Sequence, residues 1–130
     1  MKNMGNRETT NLVKKILKEH FPNNRFKVKS DYSGIDIETD LIKTISQDML
    51  EADWRIRMNK SYGEEDYIKS EIKDEIIKEN DKNMKKIKEI LSRYGIKEDI
   101  SYDQYTGEIL QGGNYFIQIF PLRDYKKRGD

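Results

Sequence analysis

The chain has 130 residues, 35% hydrophobic and 38% charged, and its 25 Lys and Arg against 24 Asp and Glu leave a formal net charge of +1. One domain with one core is expected at this length, and the near-zero charge argues against a strongly basic nucleic-acid clamp, an acidic mimic of DNA and an intrinsically disordered tail. With no cysteine, disulfides, thiolate zinc sites and cysteine nucleophiles are excluded together.

Residues 1–8 read as a frayed polar start. Thr9, Thr10 and Asn11 offer N-cap oxygens to a helix whose apolar face is Leu12, Val13, Ile16, Leu17 and Phe21, stopped by Pro22. Phe26 and Val28 alternate with Lys27 and Lys29. Asp31-Tyr32-Ser33-Gly34 supplies turn chemistry, and Ile35 and Ile37 resume the alternation, so this stretch predicts a β-hairpin. Leu41, Ile42, Ile45, Met49 and Ala52 suit a helix capped by Asp40. Trp54, Ile56 and Met58, alternating with Arg55 and Arg57, then predict a strand.

The longest periodic segment runs from about Glu64 to Tyr94, with Ile72, Ile76, Met84, Ile87, Ile90, Leu91 and Tyr94 in one helical arc. Gly95 after Tyr94, followed by Ile96, is a left-handed C-cap with its hydrophobic contact. Asn80 interrupts the apolar arc. Either the segment splits there into two helices, or one helix of ~46 Å runs through and pairs with a second copy, Asn80 fixing the register. Ile100 and Tyr102, the turn at Tyr105–Glu108 and Ile109-Leu110 read as β-structure. A second turn at 111–114 leads into a strand over Tyr115–Phe120, and 123–130 reads as a polar tail. Without βαβ regularity, the fold class is α+β. One domain over 1–130 is expected, its antiparallel sheet packed against several helices. The expected core includes Leu12, Ile16, Val28, Ile37, Ile76, Ile87, Leu91, Ile117 and Ile119.

Few residues promise chemistry. His20 is the single histidine and sits at a helix end, where capping of the last carbonyls or a plain surface position is its expected role rather than that of a general base. Gly112-Gly113 lacks the Lys-Ser/Thr of a phosphate loop. Asp36, Glu38 and Asp40 share a face if the strand continues, and with Asp31 they could hold a hard, oxygen-seeking ion such as Mg²⁺ in a metal-dependent enzyme. A solvated strand face is the ordinary alternative. Arg55 and Arg57 share one face of the predicted strand, Lys85, Lys86 and Lys88 decorate a helix, and Lys126-Lys127-Arg128 lies in the tail. With the tyrosines these could hold a nucleic acid or nucleotide, although Asp53, Glu64, Glu65 and Asp66 nearby would repel a polyanion.

The stretch Phe21-Pro22 through Phe26-Lys27-Val28-Lys29-Ser30-Asp31-Tyr32-Ser33-Gly34 to Ile35-Asp36-Ile37 resembles a large polyvalent-protein-associated domain family, small α+β modules of phages and conjugative elements. In that pattern a helix ends at Phe-Pro and a strand runs into Ser-Asp-Tyr-Ser-Gly before a second strand. Gly112–Phe116 is similar to the family's closing strand. Gly34 leads straight into Ile35 without further small residues, and Thr39-Asp40-Leu41 lacks the family's Gly-Pro. The resemblance implies an origin on a mobile element. It also implies action by binding, for instance as an inhibitor of a host defence system such as an anti-CRISPR protein.

The expectation is therefore a non-enzymatic binding protein with no cofactor and no metal, acting on a host protein or complex in the host cytoplasm. The alternative is a nucleic-acid or nucleotide-binding accessory module. No stretch approaches the ~20 apolar residues of a membrane helix and the start carries no apolar signal run, so no membrane role is expected. A homodimer through the Glu64–Tyr94 region is a further expectation. The expected contact residues are Asp31, Tyr32 and Gly34 in the turn, Arg55 and Arg57, and Tyr102 and Tyr105, since Tyr and Arg anchor interfaces and turns hold them without disturbing a core.

Overall fold

In the computed structural model, which describes residues 6–110 and 112–123, six elements follow in order. They are α1 (Asn6–His20), β1 (Phe26–Asp31), β2 (Gly34–Thr39), α2 (Gln47–Arg57), α3 (Glu64–Arg93) and β3 (Phe116–Pro121). The class is α+β, as the clustering of helical and strand periods predicts. The hairpin forms where alternation placed it. β1 and β2 pair antiparallel with Val28 opposite Ile37 and Asp31 opposite Gly34.

The sheet order is β1-β2-β3, but β3 runs parallel to β2, with Ile35 opposite Ile117 and Ile37 opposite Ile119. The sheet is thus mixed where an antiparallel one was expected. The reason lies in the connection. β2 ends at Thr39, α3 carries the chain back along the sheet, and residues 94–115 return it beside Gly34. A helical crossover of this kind delivers a parallel strand.

One face of the sheet carries Val28, Ile35, Ile37, Ile117 and Ile119. With Val13, Ile16 and Leu17 of α1 and Ile87, Ile90 and Leu91 of α3, they form the buried cluster. Ile96 completes it, and Leu12 packs at its margin. Of the expected core residues, Ile76 is the exception: it is half-buried like Leu12 but lies outside the cluster, on the part of α3 that extends beyond the sheet.

Local expectations meet tertiary structure with mixed results. Gly95 takes φ +82 after α3, and the Ile96 N–H donates to the Leu91 carbonyl at 3.0 Å, closing the helix as the sequence indicates. α1, by contrast, begins at Asn6, ahead of the expected cap. Thr9 is buried within it and the Thr10 hydroxyl meets the Ser30 hydroxyl at 2.6 Å. Asp40 caps no helix either. Its carboxylate accepts from Asn24 Nδ2 (2.9 Å) and the Arg25 N–H (3.2 Å), while Ser46 caps α2 by accepting from the Met49 N–H.

The strand expected at Trp54–Met58 is instead the last turn of α2, Trp54–Arg57, with Met58 as its C-cap. Alternation over five residues also satisfies an i, i+4 stripe, and Leu50, Trp54 and Met58 form one. The segment after Tyr94 holds single bridges, Asp99 to Tyr115 and Tyr102 to Ile109, where longer strands were expected. Gln111 of the second turn and the basic tail Lys126-Lys127-Arg128 lie outside the described residues.

α3 is one helix of 30 residues, ~45 Å long, and does not split at Asn80. Asn80 is buried because it serves a distant loop. Its Oδ1 accepts from the Lys43 N–H at 2.8 Å and its Nδ2 donates to the Lys43 carbonyl at 2.9 Å. Asn83 Nδ2 adds a bond to the Leu41 carbonyl at 3.1 Å. These side-chain amides satisfy backbone groups that have no strand partner. The Asn that suggested a paired-helix register therefore brackets the β2–α2 loop within its own chain.

Candidate functional site

The expected contact residues fall into two groups at opposite ends of the molecule. Gly34 is aligned with Phe116, the Phe116 N–H donates to the Ser33 carbonyl (3.0 Å), and Tyr115 exchanges both backbone hydrogen bonds with Asp99. The Ser101 N–H in turn donates to Asn114 Oδ1 at 2.8 Å. This chain of bonds places the Asp31–Gly34 turn and the Tyr102–Tyr105 loop together, near the C-terminal end of α3. Arg55 is bonded to Asp66 in the first turn of α3. The 27 residues from there to Arg93 span ~40 Å at 1.5 Å per residue.

At the turn end, two tyrosines are held out by carboxylate-pinned backbone. The Asp31 carboxylate accepts from the Ser33 N–H and hydroxyl, and Tyr32 between them is 91% exposed. The Asp103 carboxylate accepts from the Tyr105 N–H (2.7 Å) and the Thr106 N–H (3.0 Å), and Tyr105 is 95% exposed. Both are Asx-type turns, in which a short side chain substitutes for a backbone acceptor. Tyr102 is exposed beside its bridge to Ile109. Tyr115 is half-buried there. Desolvation, with the Asp31 charge adding to it, raises its phenol above the ordinary range.

A groove of about 610 Å³ opens from this turn over the sheet face opposite the core, with Arg7, Lys29, Asp31, Asp36, Phe116 and Gln118 among its lining residues. Of the carboxylates considered for a metal, only Asp31 and Asp36 border it. Glu38 accepts from the Arg123 N–H, and Asp40 is engaged by Asn24 and Arg25. Among the described residues no three metal-ligating side chains gather. The His20 ring meets Tyr94 edge-on at 6.2 Å between centroids, on the surface.

Hydrogen bonds hold both pinning carboxyls below the ordinary range. Those to Asp31 come from the Ser33 hydroxyl and then the Ser33 N–H, and those to Asp103 from the Thr106 and then the Tyr105 N–H. The ionised form is the one bound in the folded state, so this stabilisation is fully present above the unfolded value near ~4 and is lost as pH falls through the depressed folded values. Acidification from pH 5 to 2 should therefore release the Ser33, Tyr105 and Thr106 amides. Their NMR shifts should move only below about pH 4. In Asp31→Asn and Asp103→Asn the amide shifts of the affected turn should lose that titration.

At the far end, α2 and the first half of α3 form a helical arm. Arg55 Nη2 lies 2.6 Å from Asp66 Oδ1, and the Gly63 N–H donates to the same carboxylate, capping α3. Arg57 Nε is 3.0 Å from Asp53, which also receives Lys73 Nζ (3.1 Å) and the Ser70 hydroxyl (3.0 Å). Both acids are held ionised, Asp66 chiefly by Arg55 and Asp53 chiefly by Lys73. The two arginines are two residues apart on a helix and so do not share a face. Each is spent on a local acid.

Sequence reasoning passed over Leu50 and Ile68 and did not mark Trp54, Met58 and Ile72 as exposed. All five stand in solvent on this arm, Leu50 and Trp54 on α2, Met58 at its C-cap, and Ile68 and Ile72 on α3. The signal was present as i, i+4 spacing, but the strand reading of 54–58 hid half of it. Among the described residues no helix is long and apolar enough to cross a membrane. No family model, no curated protein and no solved structure matches the chain.

Proposed function

We propose that the protein acts by binding a macromolecular partner, with the turn end as its primary contact surface. One observation carries this reading: Tyr32 and Tyr105 stand almost fully in solvent on turns fixed by Asp31 and Asp103. Rigid aromatic side chains offer large contact area at low entropic cost, and fixing the turn beforehand removes part of the ordering cost of association. The groove beside the turn gives such a partner a second point of purchase.

The likeness of residues 21–37 to modules of phages and conjugative elements supports a specific form of the proposal, an inhibitor of a host defence complex such as an anti-CRISPR protein. The nucleic-acid alternative draws less support from the arrangement. Arg55 and Arg57 are engaged by Asp66 and Asp53, and the surrounding carboxylates repel phosphate.

Affinity capture on immobilised protein tests the reading, with host-defence complexes offered individually as purified baits. Tyr32→Ala/Tyr105→Ala should reduce capture of the bound complex at least tenfold while leaving the melting temperature unchanged, because both side chains touch almost nothing in the fold. Undiminished capture by the double variant, or a bound species that proves to be nucleic acid with a steep salt dependence, would overturn it.

A further inference from the structure

The arm at the opposite end carries a separate inference. Ile68 and Ile72, 50% and 40% exposed, are one helical turn apart on α3. At 100° per residue, Glu64, Glu65, Glu71, Glu75 and Glu79 fall with them inside one arc of ~120°. All five glutamates are exposed. Two β-branched apolar side chains left in water among five acids form an amphipathic face, since an ordinary solvated helix face would carry polar residues at 68 and 72.

Charge decides what covers the face. From Gln47 to Asn83 the chain carries 11 carboxylates against seven Lys and Arg, a net of −4 within a protein whose total is +1. Ion pairing does not relieve the excess, because Arg55, Arg57 and Lys73 are taken by Asp53, Asp66 and Asp74. Two such arms brought face to face would set like charges against each other, and an anionic lipid surface or a nucleic acid would be repelled in the same way. The complementary occupant is cationic with an apolar stripe.

We propose that the outer face of α3 around Ile68 and Ile72 is a docking surface for a basic amphipathic helix of a partner protein. The partner's apolar residues pack on the two isoleucines while its Lys or Arg side chains meet the flanking glutamates, an arrangement seen wherever paired helices place opposite charges beside an apolar seam. This surface is independent of the tyrosine-bearing turns, so the protein has two contact ends joined by the length of α3.

The test uses the full chain and a fluorescein-labelled 18-residue Leu/Lys amphipathic helical peptide, with a Leu/Glu peptide of the same pattern as control. Anisotropy should show saturable one-to-one binding of the Leu/Lys peptide and none of the control. Ile68→Ser/Ile72→Ser should weaken binding at least tenfold with an unchanged helical circular dichroism spectrum. Glu64→Gln/Glu71→Gln/Glu75→Gln should weaken it and flatten its salt dependence, as lost charge complementarity requires. Leu50→Ser/Met58→Ser, on the exposed stripe of α2 and its C-cap, should leave it within twofold, and so should Tyr32→Ala/Tyr105→Ala. Equal binding of both peptides, retention by the isoleucine variant, or loss in the α2 variant alone would overturn the proposal. So would a dimer in light scattering that Ile68→Ser/Ile72→Ser dissolves, since the occupant would then be a second copy.

Discussion

Gly34→Ala should lower the stability of the protein by about 3 kcal/mol or more, because this position has no room for a single added carbon. A Cβ built on Gly34 would stand 2.1 Å from the Phe116 carbonyl oxygen, 2.9 Å from its nitrogen and 3.0 Å from its carbonyl carbon. All three are backbone atoms of the adjacent strand, so no side chain can swing aside. Relief requires β3 to move away from β2, with loss of the Phe116 N–H bond to the Ser33 carbonyl. The φ of +154° adds conformational cost for any L side chain. The same displacement would shift Tyr115 and the Asp31–Ser33 turn, so the variant should lose partner capture together with stability. Thermal denaturation checks this, with a fall of roughly 10 °C expected at this chain length. Gly63→Ser is the control. Gly63 has open space around its Cβ position and a negative φ, and a serine there can cap α3. An unchanged melting temperature for Gly34→Ala would show that the two strands do not approach this closely.

How much of this was legible beforehand depended on how far each determinant lies from the residues it governs. The hairpin was legible because Phe26, Val28, Ile35 and Ile37 alternate around a four-residue turn, and both strands are local to that turn. The end of α3 was legible because Gly95 and Ile96 form a cap within a few residues. Asn80 was conspicuous but misread, since the backbone groups it satisfies, those of Lys43, lie 37 positions away and carry no sequence mark. The direction of β3 was hidden for the same reason. Nothing in Phe116–Pro121 records which way a helix of 30 residues has carried the chain. Trp54, Ile56 and Met58 fit two periods over too short a run, and the choice of strand put Arg55 and Arg57 on one face when a helix separates them. At the candidate site the residue types were legible and their arrangement was not. Tyrosines are equally at home in a core, and only the Asp31 and Asp103 turns show that Tyr32 and Tyr105 are displayed.

Leu91→Ala should cost about 2–5 kcal/mol, as truncations of buried leucines do when a close-packed site cannot collapse. Leu91 is fully buried in the cluster where α1, the sheet and the second half of α3 meet, with Val13, Ile37, Ile87 and Ile117. Ile117→Ala should fall in the same range from the opposite wall. The contrast with the first half of α3 makes the result informative about function. Ile68 and Ile72 are half-exposed on the same helix about 20 residues earlier, and replacing both with serine should change stability by no more than about 1 kcal/mol. One continuous helix would then contribute its second half to folding and its first half to contact with a partner. Urea denaturation of the three variants separates the halves. The two core variants should shift the midpoint strongly at constant slope, while Ile68→Ser/Ile72→Ser leaves it nearly in place. A large loss of stability in the arm variant would mean that those isoleucines are covered within the fold, leaving no free face for a partner helix to dock upon.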